Sequence, residues 1–372
     1  MRYHESTSVV HIIEMVIFVS KNGIIKARGI LAVMLLCGAA VFLVARGGGE
    51  KFLHEDVLFA DATDATERGK YSPVTAENGQ IITDGFEQAP AHFAPLRRYP
   101  RYRSGPRFSP NEETIARISC FNYLTRNIFL ADRNTILLET DVDVREFLAM
   151  DFSLDTNANG PQVLIVHAHS REKFIDSDPY DAFTGVMGVG RELAEILRRD
   201  YGIEVLHYLE RFDIVDGRPQ RDGAYERLEP TVRRLLDENP SIKIVIDLHR
   251  DGVGAHVAPM VTYINGERAA QIMFVNGLSR RYRNGEAQPV ASLPNPYQRE
   301  NLAFTLNLQL AANELHPGFA RRAYLLPFRY SLHMAPASIL LEVGAQNNTL
   351  QEALNAMPAM AEIIAAVVLG EN

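Results

Sequence analysis

From residue 161 onward, apolar runs alternate with amphipathic stretches. Val163-Leu164-Ile165-Val166 is a continuous apolar run of strand length, and such a run marks a strand buried on both faces. Val186 to Arg199 carries apolar residues at 186, 189, 193, 196 and 197, the period of a helix, and Gly202 is placed to stop it. Ile203 to Leu206 reads as a second strand. Ala224 to Glu238 reads as a second helix, ended by Asn239-Pro240, and Ile242 to His249 as a third strand. Strand, helix, strand, helix, strand in this order implies parallel pairing with right-handed crossovers.

Further strands are predicted at 257–265 and 271–275, with a turn at Asn265-Gly266. A helix follows over Asn301 to Leu315, closed by His316-Pro317-Gly318, and a short strand over Ala323 to Leu326. Ser338 to Gly344 reads as a buried strand, and Leu350 to Leu369 as a closing helix with a kink or break at Pro358. The fold class is therefore α/β, a mixed and mostly parallel sheet flanked by helices.

The N-terminal part follows a different pattern. Gly29 to Ala45 is uncharged and close to the length of a spanning helix. Lys21, Lys26 and Arg28 precede it, which favours a cytoplasmic N-terminus and an exported remainder. The absence of a clear small-x-small site favours an uncleaved anchor over a signal peptide. Pro73, Pro90, Pro95, Pro100, Pro106 and Pro110 punctuate a stretch with little periodicity, which reads as a tether. The expected organisation is residues 1–28 cytoplasmic, 29–45 transmembrane, 46–110 tether, 111–160 an accessory segment packing on the catalytic domain, and 161–372 that domain. The domain would then lie on the extracytoplasmic side of the cell membrane, on a single span.

Charge and cysteines narrow the chemistry. The net charge of −8 argues against a nucleic-acid partner. Two cysteines, Cys37 and Cys120, cannot build a disulfide framework or a cysteine-rich metal site. Histidines and carboxylates carry the signal instead. His167 and His169 follow the first strand, and on an extended chain residues two apart share a face. Glu172 is three residues further, within reach of His169 across a turn. His249 ends the third strand, and parallel pairing brings it to the same end of the sheet, where such folds bind ligands. Imidazole and carboxylate are the ligand types of catalytic zinc, and three of them leave one position for water. Glu342 arrives on its own apolar strand, where burial can raise its pKa and suit it to general acid–base work. The plainer alternatives are a histidine-bearing strand end that hydrogen-bonds a loop, and an ion pair between Glu342 and Arg250 or Arg329.

At these residues the chain resembles the stage II sporulation protein P family. The matching pieces are VLIVHAHSREKF (163–174), VGRELAEIL (189–197), IKIVIDLHRDGV (242–253), NLAFTLNLQLAANELHPGFARR (301–322) and ASILLEVGAQNNTLQEALNAM (337–357). They stand in family order over most of 160–370. The family is similar in fold to zinc-dependent N-acetylmuramoyl-L-alanine amidases. The resemblance implies cleavage of the amide between muramic acid and L-alanine in peptidoglycan, cleavage of the peptide cross-bridge as well, and a role in septal wall remodelling during sporulation. It also implies partners: a lytic transglycosylase similar to stage II sporulation protein D, and a membrane scaffold.

By the same resemblance, His169 and His249 are the histidine ligands of zinc and Glu342 is the catalytic glutamate. The amidases' ligand glutamate has no counterpart near Gly185-Val186, and Glu172 is the substitute. His167 is either a ligand or a residue that orients His169. Arg250 and Asp251 belong to the site wall, with Arg250 facing a substrate carboxylate or the developing oxyanion. Arg329-Tyr330-Ser331 departs from the family's Arg-Tyr-Asn and puts Ser331 in doubt. Two other readings use the same residues: a metallopeptidase acting on another amide, and a metal-free wall-binding scaffold module.

Overall fold

The computed structural model describes residues 108–369, apart from 156 and 255. The expected cytoplasmic segment, the transmembrane span and almost all of the tether lie outside the described residues. Among the described residues, no helix is long and apolar enough to cross a membrane.

In chain order, helices α1 (Glu112–Ile118) and α2 (Phe121–Asn127) lead into strand β1 (Phe129–Ala131), followed by α3 (Val144–Ala149), β2 (Val163–Val166), α4 (Val186–Tyr201) and β3 (Val205–His207). A small hairpin of β4 (Ile214–Val215) and β5 (Arg218–Pro219) precedes α5 (Ala224–Glu238) and β6 (Ile244–Asp251). Next come the hairpin β7 (Val261–Ile264) and β8 (Glu267–Ala270), strand β9 (Ile272–Gly277), and the hairpin β10 (Arg280–Arg283) and β11 (Glu286–Pro289). Helix α6 (Gln298–Leu315), β12 (Ala323–Leu326), β13 (Ser338–Ala345) and α7 (Leu350–Val368) complete the domain.

Seven strands form one sheet in the order β1-β12-β9-β13-β6-β2-β3. Neighbours run parallel except β13 and β9, which are antiparallel. The sheet is thus mixed and mostly parallel, as the alternation of strands and helices predicts. The segment 111–160 does more than pack on the domain: its β1 is an edge strand of the same sheet, paired with β12.

The local signals act where the sequence places them. Gly202 takes a left-handed φ of 66° at the end of α4, a conformation open to glycine at little cost. Asn265 and Gly266, at φ 52° and 80°, form the turn between β7 and β8. Thr349 and Glu352 form a capping box that starts α7.

Two expectations are corrected. The helix does not break at Pro358: α7 runs unbroken from Leu350 to Val368. Proline removes one backbone hydrogen bond. Here Ala356, Met357, Ala359, Met360 and Ala361 around it are all buried, and packing outweighs that local cost. The third strand does not end at His249 but runs on to Asp251, because β13 continues to pair beside it through Ala345.

The two faces of the sheet are covered unequally. Helices α4, α6 and α7 pack on one face, against Ile165, Ile246, Leu248, Ile339 and Leu341, in the largest apolar cluster. On the other face, α5 buries Ala224, Leu228, Val232 and Leu235, a stripe of helical spacing, against Leu164, Val166 and Val245. Beyond α5 that face carries a small cluster around Met273, Val275, Tyr330 and Leu340.

Candidate active site

The register of two strands builds the site. Glu342 on β13 pairs with His249 on β6, and Leu340 pairs with Asp247. Paired residues on neighbouring parallel strands point to the same face, and so do residues two apart on one strand. Asp247, His249 and Glu342 therefore share the face covered by α5. Val166 on β2 pairs with Asp247, and the chain turns immediately after it. That turn carries His169 to the same place: its ring centroid is 5.3 Å from that of His249 and 5.5 Å from that of Tyr225 on α5. Glu172 completes the group, with Oε2 3.2 Å from His249 Nδ1.

His169, Glu172, His249 and Glu342 are all buried. The sequence brought these four together from three segments, and the fold does assemble them. It does not do so for two others. His167 does not share a face with His169, because the strand stops at Val166 and the turn rotates the chain. His167 Nδ1 meets the Leu248 carbonyl at 2.8 Å, and its Nε2 lies 2.8 Å from His207 Nε2, on the side covered by α4. Both of its ring nitrogens are therefore engaged away from His169. Arg250 follows His249 on β6, so its side chain leaves the opposite face. Its Nε donates to the Lys173 carbonyl at 2.9 Å, and only its backbone N–H, donating to Glu172 Oε2 at 3.0 Å, touches the site. Asp251 does stand at the wall, ion-paired to Arg321 at 2.8 Å. The ion pair weighed for Glu342 is absent among the described residues. Arg329 pairs with Glu229 instead.

Three residues that patterning did not single out as site groups also belong here. Asp247 accepts from His249 Nε2 at 2.8 Å, and its position two before His249 on a strand was the available signal. Ser331 donates to Asp247 at 2.8 Å. Arg221, in the loop before α5, donates to Glu172 Oε1 at 3.2 Å, and nothing in its sequence neighbourhood marks it.

The electrostatics divide the group. Burial opposes the charge on His249, but Asp247 and Glu172 outweigh it and hold its pKa well above the ordinary histidine value. Burial likewise pushes Glu172 up, yet His249, Arg250 and Arg221 hold it well below the usual carboxylate range. Burial, with Arg221 and His249 adding to it, lowers His169 to about 3. Burial, then Asp251, push Glu342 up to about 8. Two carboxylates in one site thus sit on opposite sides of neutrality, which is how acid–base roles are divided at active sites.

Among the described residues, no three His, Cys, Asp or Glu side chains already stand as a metal-holding group. The donor types nevertheless fit zinc. His169 Nδ1 and Glu342 Oε2, both buried, have no hydrogen-bond partner. Buried polar atoms are rarely left so, and orphans of this kind call for a missing ion or water. The residues fit the group.

Comparison with known proteins agrees with the family read from the motifs. The stage II sporulation protein P (SpoIIP) family matches residues 109–365. No curated protein matches the chain. Solved structures that resemble it include three N-acetylmuramoyl-L-alanine amidases. The catalytic domain of CwlV from Bacillus (Paenibacillus) polymyxa var. colistinus is 11% identical, over 55% of this chain and 96% of that one, with a TM-score of 0.33. The amidase from Clostridium difficile 630 is 14% identical, over 56% and 97%, at 0.32. The CwlD amidase from Clostridioides difficile, solved in complex with the GerS lipoprotein, is 12% identical, over 55% and 96%, at 0.34. Likeness at this level bears on none of the chemistry. The family match spans most of the chain, including every residue of the site, and this chain belongs to the stage II sporulation protein P family.

Proposed function

We propose that the chain is a zinc-dependent hydrolase that cuts the amide between N-acetylmuramic acid and L-alanine in peptidoglycan, and the peptide cross-bridge as well. The observation that carries this reading is the meeting of His169, Glu172, His249 and Glu342 with two orphaned buried atoms among them. Family membership supports the substrate class. His169, Glu172 and His249 would hold the zinc. When bound, zinc polarises the scissile carbonyl and makes water more acidic at neutral pH.

The chain's own residues do the rest. Glu342 takes the proton of the attacking water on its carboxylate and returns it to the departing amine. Burial, then Asp251, push its carboxyl up to about 8, and a nearby cation acts in the opposite direction. A base whose pKa lies near the working pH is the most effective. Arg221 donates to Glu172 and holds its carboxylate in place. Asp251 keeps Arg321 at the wall.

Residues 29–45 anchor the enzyme in the membrane in this reading, with the domain on the extracytoplasmic side. Its partners there are peptidoglycan, a transglycosylase similar to stage II sporulation protein D and a membrane scaffold. A cysteine introduced into the tether is expected to react with an impermeant reagent on intact cells.

Mass spectrometry of peptidoglycan digested by the full chain tests the chemistry. Free stem peptides beginning with L-alanine are the expected product. Cleavage confined to other amides would make the chain a metallopeptidase. Wall binding with no product and no bound zinc would make it a scaffold module.

A further inference from the structure

A buried carboxylate behind a histidine can decide which ring nitrogen is free. Asp247 is fully buried, and both its oxygens are occupied. Oδ1 accepts from His249 Nε2 at 2.8 Å and from the Ala168 N–H at 3.0 Å. Oδ2 accepts from the Ser331 hydroxyl at 2.8 Å. Three separate segments thus aim at it: the turn after β2, the strand β6 itself, and the loop before β13. On the other side of the His249 ring, Nδ1 faces Glu172.

We propose that Asp247, anchored by Ser331 and Ala168, is the positioning residue of the site, holding the His249 proton on Nε2 and so committing Nδ1 to the metal. An imidazole that ligates a metal gives up one ring proton, and so keeps one N–H and offers one lone pair. A carboxylate at one nitrogen keeps the proton there, turns the lone pair of the other outward and makes it more basic, the common arrangement behind metal-bound histidine. The proton cannot move to Nδ1 without leaving Asp247, which is buried, facing a lone pair in place of a donor. Ser331, the residue that departs from the family's Asn, has a definite task in this chain: it supplies the hydroxyl that saturates Asp247 Oδ2.

This inference rests on the zinc reading above, and its test separates the two. The full-length chain is stripped of metal and titrated with zinc against a competing chelator. Asp247→Asn is expected to weaken zinc binding by about 10–100-fold, the usual loss when such a partner is removed. Ser331→Ala is expected to weaken it by about threefold or more, and Ser331→Thr, which keeps the hydroxyl, to restore it. In the zinc-loaded wild type, nitrogen-15 NMR is expected to find the His249 proton on Nε2. A merely structural Asp247 would lower the melting temperature of the metal-free chain and leave the affinity of the folded protein unchanged.

Zinc affinity within about twofold of wild type for both Asp247→Asn and Ser331→Ala overturns the assignment, and so does a proton on Nδ1. If Asp247→Asn does not fold, Ser331→Ala and the wild-type spectrum still decide it. A wild type that takes up no zinc overturns the metal reading and this assignment together. Zinc uptake indifferent to both substitutions overturns this assignment alone.

Discussion

Two pairs of histidines lie on opposite faces of one sheet and differ in what surrounds their rings. His167 and His207 meet Nε2 to Nε2 at 2.8 Å on the side of α4. Their hydrogen-bond partners are one another and the Leu248 carbonyl, and burial lowers both, His167 to about 4. His169 and His249 stand on the α5 side with Glu172 and Asp247 against the second of them. Burial acts on all four rings. Carboxylates within hydrogen-bond reach raise one of them, and orphaned atoms accompany only the second pair. The contrast teaches that burial alone makes a histidine a neutral packing element. Chemistry enters when burial is combined with charge and with a polar atom that has no partner.

The largest effect expected from breaking this contrast is at Glu342. Glu342→Gln keeps size and hydrogen bonding but cannot take a proton. Turnover of peptidoglycan is expected to fall by about 10²–10⁴-fold while zinc content is unchanged, read by amide cleavage and elemental analysis on the same sample. Loss of zinc with loss of turnover would move Glu342 from base to ligand.

On the other face, Gly190 of α4 lies where a Cβ would come within 2.8 Å of His167 Nε2 and 3.0 Å of His207 Nε2. Gly190→Ala is expected to destabilise the fold by about 1–3 kcal/mol, as overpacking does, and to leave zinc affinity alone. Denaturant unfolding and a zinc titration of one preparation check both halves. Weaker zinc binding would tie the first pair to the second.

Acid should act through the first pair. The folded-state pKa of His167, about 4, lies below its ordinary value of 6.5, and that of His207 also lies well below 6.5. The unfolded chain therefore binds the protons first. The stability these rings contribute is complete above pH 6.5 and is lost as pH falls toward 4, at up to about 1.4 kcal/mol per pH unit for each ring. His207→Gln keeps an amide nitrogen near the place of Nε2 and removes one titrating ring. Its unfolding free energy is expected to fall less steeply than that of wild type across this window. Parallel slopes would show that the pair does not titrate with unfolding.

The smallest expected effect is a control on α4. Burial, then Glu195, raise Glu192 to about 7. A carboxyl raised in the folded state favours folding most below pH 4.5, and that contribution is lost as pH rises through 7. Glu192→Gln should raise the unfolding free energy slightly at pH 8, by a few tenths to about 1 kcal/mol, and change little at pH 4. A variant no more stable at pH 8 would count against burial of this carboxyl.

The sequence by itself determined a good deal. Apolar period separated strands from helices because a buried strand and an amphipathic helix expose different faces to water, and no neighbour is needed to see that. Gly202 and Asn265-Gly266 marked a helix end and a hairpin turn because left-handed backbone is open to few residues. The motifs fixed the family, and their places at strand ends or just past them singled out His169, Glu172, His249 and Glu342 as a group. Tertiary structure decided what lies between groups. That His167 turns away from His169 depends on where β2 stops pairing, a property of two strands and not of one. That Arg250 spends its guanidinium on the Lys173 carbonyl, while Arg221 reaches Glu172 from 49 residues away, depends on how loops close over the sheet. That α7 passes through Pro358 depends on the packing around it. A register between β6 and β13 set Glu342 beside His249, and registers are written in the contacts of two strands, which no single stretch of chain contains.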